Sequence, residues 1–304
     1  MRLGVDLGGS KIEALALDAA GREIVRRRAP TPRGSYDAIL DAVAALVAQT
    51  EAAAGMRAPA IGVGIPGSCS PATGLIRNAN STELIGHPFD RDLAARLDRP
   101  VRVENDANCF ALAEAVAGAG QEAATVFGVI LGTGVGGGIV LGGRLLAGHN
   151  LIAGEWGHNP LPGAAGDELP GPRCWCGRRG CIETWCSGPG LAADHRRATG
   201  EELVPEEIAA RSTAGDEAAR ATLDRHRGRL ARALAAVVNI LDPEVIVLGG
   251  GLSALPGLAG GLAAAMRRHV FSDVFATRVV ANRLGASAGV IGAAWLSGQG
   301  EQRE

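Results

Sequence analysis

The stretch Asp6-Leu7-Gly8-Gly9-Ser10-Lys11 lies near the start of the chain, between two apolar runs at residues 3 to 7 and 12 to 17. The two runs predict β-strands joined by a glycine turn. A magnesium-nucleotide site needs a carboxylate near the metal and exposed backbone N–H groups around the phosphates, and glycines permit that close backbone approach. The stretch therefore offers a candidate phosphate-binding turn, made of Asp6, Gly8, Gly9, Ser10 and Lys11, the only lysine in the chain. A plain β-hairpin with an exposed lysine fits the same residues.

A second apolar run followed by a glycine turn begins at residue 126: the run 126 to 131 is followed by Gly132-Thr133-Gly134-Val135-Gly136-Gly137-Gly138. These glycines match the dinucleotide pattern G-x-G-x-x-G, but Ile139-Val140-Leu141 predicts a strand where that fold needs a helix, so a Rossmann fold is excluded. A P-loop is excluded as well, because Ser10 precedes Lys11 instead of following it. Gly249, Gly250 and Gly251 follow a buried strand and are either a tight strand-to-helix turn or a third nucleotide contact.

Helices and strands are predicted before, between and after these turns. Ser35 is expected to cap a helix with one apolar face. Strands are expected at 60 to 65, 101 to 104 and 245 to 248, a long helix at 216 to 241 and a closing helix at 289 to 296, whereas 26 to 34 and 154 to 188 are expected to be polar or loop segments. Two hairpin-led halves predict two related α/β domains facing one another across a cleft. The expected bounds are 1–117 and 118–286, with a C-terminal helix at 287–304 packing on the first domain.

Composition narrows the classes of partner. The 304 residues are 47% hydrophobic and 20% charged, with a formal charge of −2, so no general basic surface attracts nucleic acid or anionic lipid. No signal segment and no apolar run of about 18 residues is present, which predicts a cytoplasmic protein without a membrane span.

Cysteines cluster in the second half of the chain. Cys174, Cys176 and Cys181 with His158 form a three-sulfur, one-nitrogen set that suits tetrahedral Zn²⁺ in a structural role. Free thiols in a glycine-rich loop are the alternative. Cys186 is expected to be a spare thiol, since four ligands are already available.

Asn105 and Asp106 follow a predicted strand and precede an Ala-rich helix, so from these residues alone a helix N-cap is the favoured role. The family resemblance given below implies that Asp106 is also the catalytic base. The two roles are compatible, because a helix N-terminus stabilises the ionised form that a general base requires.

The order of motifs resembles the ROK family of sugar kinases and repressors over nearly the whole chain. The resemblance rests on five stretches: 6–11, Glu104-Asn105-Asp106-Ala107-Asn108, Leu131-Gly132-Thr133-Gly134, Gly154-Glu155-Trp156-Gly157-His158, and 174–183 from Cys174 to Glu183. It implies an actin/hexokinase-like (ribonuclease H-like) two-domain α/β fold with an interdomain cleft, an ATP- and Mg²⁺-dependent hexose kinase and a homodimer.

The resemblance also implies a sugar site, formed by Asn80, Asn105, Asp106, Glu155, His158 and Glu183. Residues 78–82 and 154–162 look most like bacterial fructokinases, so phosphorylation of the 6-hydroxyl of fructose, and also of mannose or glucose, is expected. An N-acetylglucosamine kinase is the alternative within the family. A sugar-sensing regulator without turnover is the alternative of another class, which the early first turn and the retained Asp106 disfavour.

Overall fold

The structure is a computed structural model that describes residues 1–79 and 81–299. Its strands are β1 (Arg2–Leu7), β2 (Lys11–Leu17), β3 (Glu23–Pro30), β4 (Ile61–Ile65), β5 (Ser68–Cys69), β6 (Ile76–Arg77), β7 (Val101–Asn105), β8 (Thr125–Leu131), β9 (Val135–Leu141), β10 (Arg144–Leu145), β11 (Val245–Gly249) and β12 (Arg278–Ala281). Its α-helices are α1 (Tyr36–Ala54), α2 (Phe89–Leu97), α3 (Asp106–Ala117), α4 (Ile182–Cys186), α5 (Gly188–Thr199), α6 (Pro205–Thr213), α7 (Glu217–Leu241), α8 (Leu258–Met266) and α9 (Ala288–Leu296). Within the described residues, no helix is long and apolar enough to cross a membrane.

The chain divides into two compact units. The first contains Met1–Gln121, Gly143–Ala153 and the described residues from Leu284 onward, and the second contains Glu122–Gly142 and Gly154–Arg283. The domain bounds expected from the sequence stay a prediction.

The sheet of the first unit has the strand order β3-β2-β1-β4-β7. β1 and β2 form the predicted antiparallel hairpin, with Asp6 opposite Glu13, while β4 runs parallel to both β1 and β7. One correction concerns residues 26–34, where the expected polar segment is a strand as far as Pro30. Arg26 and Arg28 lie in β3, where their guanidinium groups pair with the buried carboxylate of Glu13 on β2. Because this stabilising interaction joins distant residues, the polarity of 26–34 alone does not predict the strand.

Helix α1 begins as predicted. Ser35 accepts a hydrogen bond from the Ala38 N–H, and the helix ends at Gly55, which has a left-handed backbone (φ 67°). The buried apolar side chains of α1 join those of β1 and β4 in the core of this unit, and each such side chain contributes about 1.5–3 kcal/mol.

In the second unit the strands are adjacent in the order β9-β8-β11-β12. β8 and β9 form the second predicted hairpin, in which Leu131 pairs with Val135. Because β9 is an antiparallel strand, the exclusion of a Rossmann fold is confirmed. β11 is buried along its length and runs parallel to β8 and β12. The long predicted helix is α7, capped by Asp216 and ended by Asp242.

The predicted loop segment at 154 to 188 is mostly irregular. It contains two single 3₁₀ turns, Trp156–His158 and Gly166–Glu168, and one short helix, α4. The interpretation of 155–158 as a loop rather than an α-helix therefore holds, although the 3₁₀ turn was not anticipated.

Helix α9 packs on β1 and β4 through very small residues. A Cβ added to Gly4 would overlap the backbone of Ala294, and one added to Gly62 would overlap the carbonyl of Ala293. Helix α9 also contacts α3, where Gly292 of α9 lies against the backbone of Cys109. The close approach of these elements therefore requires glycine at all three positions.

Gly62→Ala is expected to lower the free energy of unfolding by about 2–3 kcal/mol, because the new methyl group must displace backbone instead of a flexible side chain. Thermal unfolding of the purified variant measures this as a lower Tm. The matched control is Gly228→Ala within α7, where an added Cβ meets nothing within 4 Å and should stabilise the helix by about 0.5–1 kcal/mol. Equal Tm values for the two variants would contradict the packing argument.

Candidate functional site

The first predicted turn is held in shape by its own backbone and by a neighbouring strand. The Gly8 N–H donates to the Lys11 carbonyl (3.0 Å), and the Thr31 hydroxyl and N–H donate to the carbonyls of Gly8 (2.7 Å) and Ser10 (3.1 Å). Gly9, Ser10 and Lys11 are exposed. The turn thus presents backbone to solvent while its carbonyl groups are occupied, which suits an anion-binding surface.

Lys11 has a partner that the sequence did not reveal. Its Nζ lies 3.5 Å from Oε2 of Glu13, a carboxylate that is only 2% exposed. Arg28 Nε donates to the same carboxylate at 2.8 Å, and Arg26 also donates to it. Burial alone would raise the pKa of Glu13, but the two guanidinium groups outweigh burial and hold it below its usual range. Arg26 is shared with Glu23, so both arginines are paired with carboxylates, and Lys11 is the exposed cation of the turn.

The carboxyl group of Asp6, near the end of β1, has a raised pKa. Burial, followed by the negative charges of Asp106 and Glu13, raises its pKa to about 6, against a smaller opposing effect of Lys11. Gly289 makes room for the carboxylate, since a Cβ there would lie 3.1 Å from Asp6 Oδ2. Ionising this carboxyl group costs free energy, because it is largely shielded from water and lies near other negative charges. A bound cation would reduce that cost.

Asn105 and Asp106 lie where β7 meets α3, as predicted. Both side chains accept a hydrogen bond from the Ala107 N–H, each at 2.8 Å, so both residues take part in the N-cap. The Asp106 side chain is at the surface, whereas Asn105 also donates to the carbonyl of Gly67. The carboxylate therefore lies at the positive end of a twelve-residue helix.

Beside this cap, Glu104 is a partly buried acid that received no role in the sequence analysis. Asn108 Nδ2 donates to Glu104 Oε2 at 2.9 Å, and burial raises the pKa of Glu104. Asn80, the remaining predicted sugar residue of this region, lies outside the described residues.

In the second unit, the turn of Gly132, Thr133 and Gly134 is tied to α4 and α5. The Gly188 N–H donates to the Gly132 carbonyl (2.8 Å), and the Val135 N–H donates to Glu183 Oε2 (3.0 Å). Thr133 is exposed at the tip. The predicted sugar residue Glu183 thus also supports the predicted phosphate turn.

The third glycine run, 249–251, links β11 to a 3₁₀ turn at Gly251–Ala254. Gly250 has φ 79°, and an added Cβ would overlap the backbone of Leu131. The structure accounts for Gly250 as a tight turn packed beneath β8, and contact with a nucleotide at this run stays a prediction.

The predicted metal ligands come together. The donor atoms of His158, Cys174, Cys176 and Cys181 lie within 4.8 Å of one another. Cys174 Sγ is 3.6 Å from His158 Nδ1, and Cys176 Sγ is 3.6 Å from Cys181 Sγ. Around a tetrahedral Zn²⁺ with Zn–S bonds of about 2.3 Å, such donors would be about 3.5–3.8 Å apart. The residues therefore fit a zinc ion.

Electrostatics distinguishes the cysteines of this cluster. Hydrogen bonds from Arg178, first from its backbone N–H, lower the pKa of Cys176 to about 6, whereas burial raises the pKa of Cys174 and of Cys181. Metal binding would have to displace protons from the last two thiols. Cys186 is fully buried, away from solvent, with its carbonyl 3.1 Å from His226 Nε2.

The predicted sugar residues of this unit lie on the segments that carry the cluster. Glu155 is exposed and begins the 3₁₀ turn that carries His158. Trp175, between two of the cysteines, donates from Nε1 to Glu183 Oε1 at 2.7 Å. Sequence reasoning missed Trp175 because its position within the cysteine loop indicated only a spacer.

Known proteins resemble this chain over almost its full length. N-acetyl-D-glucosamine kinase of Escherichia coli O9:H4 (strain HS) is 42% identical over 301 residues, covering 97% of this chain and 99% of the relative. The crystal structure of ROK hexokinase from Thermus thermophilus has a TM-score of 0.86 at 37% identity and covers 96% of each chain. A ROK family glucokinase from Streptomyces griseus, in complex with glucose and AMPPNP, has a TM-score of 0.76 at 31% identity and covers 98% of this chain and 99% of its own.

These structural relatives confirm the actin/hexokinase-like α/β fold class. The ROK family pattern matches residues 2–299. The chain therefore belongs to the ROK family.

Proposed function

We propose that the protein is an ATP-dependent N-acetylglucosamine kinase. The observation that carries this proposal is the 42% identity to N-acetyl-D-glucosamine kinase along 97% of the chain. The sequence analysis preferred fructose and kept N-acetylglucosamine as its alternative. The relatives favour the alternative, while the kinase class itself agrees with the hexokinase and glucokinase among the structural relatives.

Asp106 is the proposed general base. At the start of α3 its carboxylate is stabilised in the ionised form, and it can accept the hydroxyl proton of the sugar as the new oxygen–phosphorus bond forms. The bond between the β–γ bridging oxygen and the γ-phosphorus breaks in the same transfer, and ADP leaves. The 6-hydroxyl is the proposed acceptor.

The glycine turns are the proposed nucleotide contacts in their respective units. Gly9 and Ser10 offer exposed backbone, Gly8 holds the turn through its N–H bond to the Lys11 carbonyl, and Lys11 supplies positive charge. In the second unit Thr133 is exposed between Gly132 and Gly134, and Gly249–Gly251 is a third candidate. Mg²⁺ bound with the nucleotide would neutralise phosphate charge, and Asp6 is the carboxylate proposed to lie near it.

Asn105 and Asn80 of the first unit and Glu155, His158 and Glu183 of the second are the proposed sugar ligands. Amide and carboxylate groups can each pair with more than one hydroxyl, as a sugar requires. A homodimer and a cytoplasmic location stay predictions.

Phosphorylation of N-acetylglucosamine is expected to have the highest kcat/KM in an ADP-coupled assay across N-acetylglucosamine, fructose, mannose and glucose. The physical reason is that the site must pair with the polar acetamido group, and a site built for such a group rejects sugars that leave it unpaired. The matched variant Asp106→Asn should bind sugar and ATP but lose at least about 100-fold in kcat.

A higher kcat/KM for fructose than for N-acetylglucosamine would instead support the fructokinase expected from the sequence. Sugar binding without release of ADP by the wild-type protein would instead favour a regulator. Near-normal turnover by Asp106→Asn would remove Asp106 as the base.

Asp6→Asn is expected to raise Tm at pH 8 while lowering turnover. Since burial, Asp106 and Glu13 raise the pKa of Asp6 from 3.8 to about 6, the folded protein binds more protons than the unfolded chain between these two values. The contribution of Asp6 to the free energy of unfolding therefore falls as pH rises through this window, by about 1–3 kcal/mol. Asparagine never ionises and avoids that cost.

Thermal unfolding of the wild type and Asp6→Asn, without Mg²⁺ or nucleotide, at pH 5 and pH 8 measures this effect. The Tm advantage of the variant should be larger at pH 8. An equal difference at both pH values would show that the ionisation of Asp6 carries no such cost.

Purified protein is expected to contain about one Zn²⁺ per chain, because four suitable donors lie within 4.8 Å of one another and two of their separations are 3.6 Å. Cys176→Ser should lower the zinc content and Tm, whereas Cys69→Ser, which lies outside the cluster, should retain both. Elemental analysis and thermal unfolding provide the measurements. Wild-type protein purified without chelators and free of zinc would reject the site.

A further inference from the structure

Trp175 is held in a fixed orientation although it lies at the surface. Its side chain is 67% exposed, yet the indole N–H donates to Glu183 Oε1 at 2.7 Å. The indole also meets the His158 ring edge to face, with 4.9 Å between ring centroids and an interplanar angle of 85°. Both contacts are made to proposed sugar ligands, and His158 is also a proposed zinc ligand.

The Glu183 carboxylate is oriented by N–H donors at both of its oxygens. Trp175 Nε1 binds Oε1, and the Val135 N–H binds Oε2 at 3.0 Å. The Cys174 thiol is a third donor, with Sγ 3.9 Å from Oε1. A carboxylate has about four acceptor positions, so one position is left for a hydroxyl donor, on Oε2. Such a carboxylate loses little freedom when it binds a sugar, because its rotamer is already set.

The hydrogen bond of Trp175 is not a general consequence of placing tryptophan in this region. Trp185, two residues beyond Glu183, has a buried Nε1 without a hydrogen-bond partner among the described residues. The cysteine loop thus directs the Trp175 donor to the carboxylate. Its backbone is held by hydrogen bonds from the Cys174 N–H to the Arg178 carbonyl (2.8 Å) and from the Gly177 N–H to the Cys174 carbonyl (3.0 Å).

We propose that Trp175 is a positioning residue of the sugar site, which holds the Glu183 carboxylate in the orientation that receives a sugar hydroxyl. The proposal rests on the proposed function, specifically on the role of Glu183 as a sugar ligand. It assigns to the residue between Cys174 and Cys176 a part in substrate affinity, separate from the zinc ion that the cysteines would bind.

The test is Trp175→Phe, which keeps an aromatic ring and removes the N–H. The KM for the sugar is expected to rise about 3- to 30-fold, since one hydrogen bond to a charged group is lost, while the KM for ATP, the zinc content and Tm stay unchanged. The matched control is Trp185→Phe, which removes an indole N–H that makes no hydrogen bond and should leave the sugar KM unchanged. The sugar used is whichever hexose the wild-type enzyme phosphorylates best.

A wild-type sugar KM in Trp175→Phe would overturn the proposal, and so would a loss of zinc or an equal rise in both KM values, which would mark Trp175 as structural. Glu183→Gln separates the two levels of inference. If it raises the sugar KM while Trp175→Phe does not, the sugar site stands and the role of Trp175 fails. If Glu183→Gln also leaves the sugar KM unchanged, the role of Glu183 fails with it.

Discussion

Both units depend on close contacts between backbone segments, which are possible only where glycine leaves out the Cβ atom. In the first unit, Gly4 and Gly62 allow α9 to lie directly on the sheet, and the carboxylate of Asp6 occupies space that Gly289 leaves open. In the second, Gly137 and Gly157 admit the 3₁₀ turn of Trp156–His158 against β9. Candidate site residues lie beside these contacts, Asp6 on β1 and His158 in the 3₁₀ turn, so the same glycines serve packing and the proposed site.

Three carboxylates, of which Glu13 is buried and Asp6 and Glu183 are partly buried, differ in how their charge is compensated. Glu13 is paired with arginines, and Glu183 is bound by two N–H donors. Asp6 instead lies near the negative charges of Asp106 and Glu13, with Lys11 as the weaker opposing influence, and its pKa is raised. An uncompensated carboxylate beside an exposed glycine turn costs stability unless a cation binds, which is why Asp6 is the group we associate with the magnesium nucleotide.

Local sequence signals predicted the elements whose cause is local. The Ser35 cap, both glycine hairpins, α7 between Asp216 and Asp242, and the clustering of the three cysteines at 174–181 all depend on short-range spacing. The strand character of β3 could not be predicted in this way, because Arg26 and Arg28 are stabilised by Glu13 across the sheet. Trp175 was missed for the same reason: its partner, Glu183, is eight residues away and reached only by folding of the cysteine loop.

The identity of the sugar was the least predictable feature, and the hydrogen bonds of Glu183 show why. Asparagine, glutamate and histidine are suitable ligands for any hexose, so residue types do not separate fructose from N-acetylglucosamine. Discrimination depends on how each ligand is oriented, and the orientation of the proposed ligand Glu183 is set by the Val135 backbone and the Trp175 indole. In the proposed site, residues behind the ligands would therefore help to determine which sugar fits, because a carboxylate held in one rotamer pairs well with some hydroxyl arrangements and leaves others unpaired.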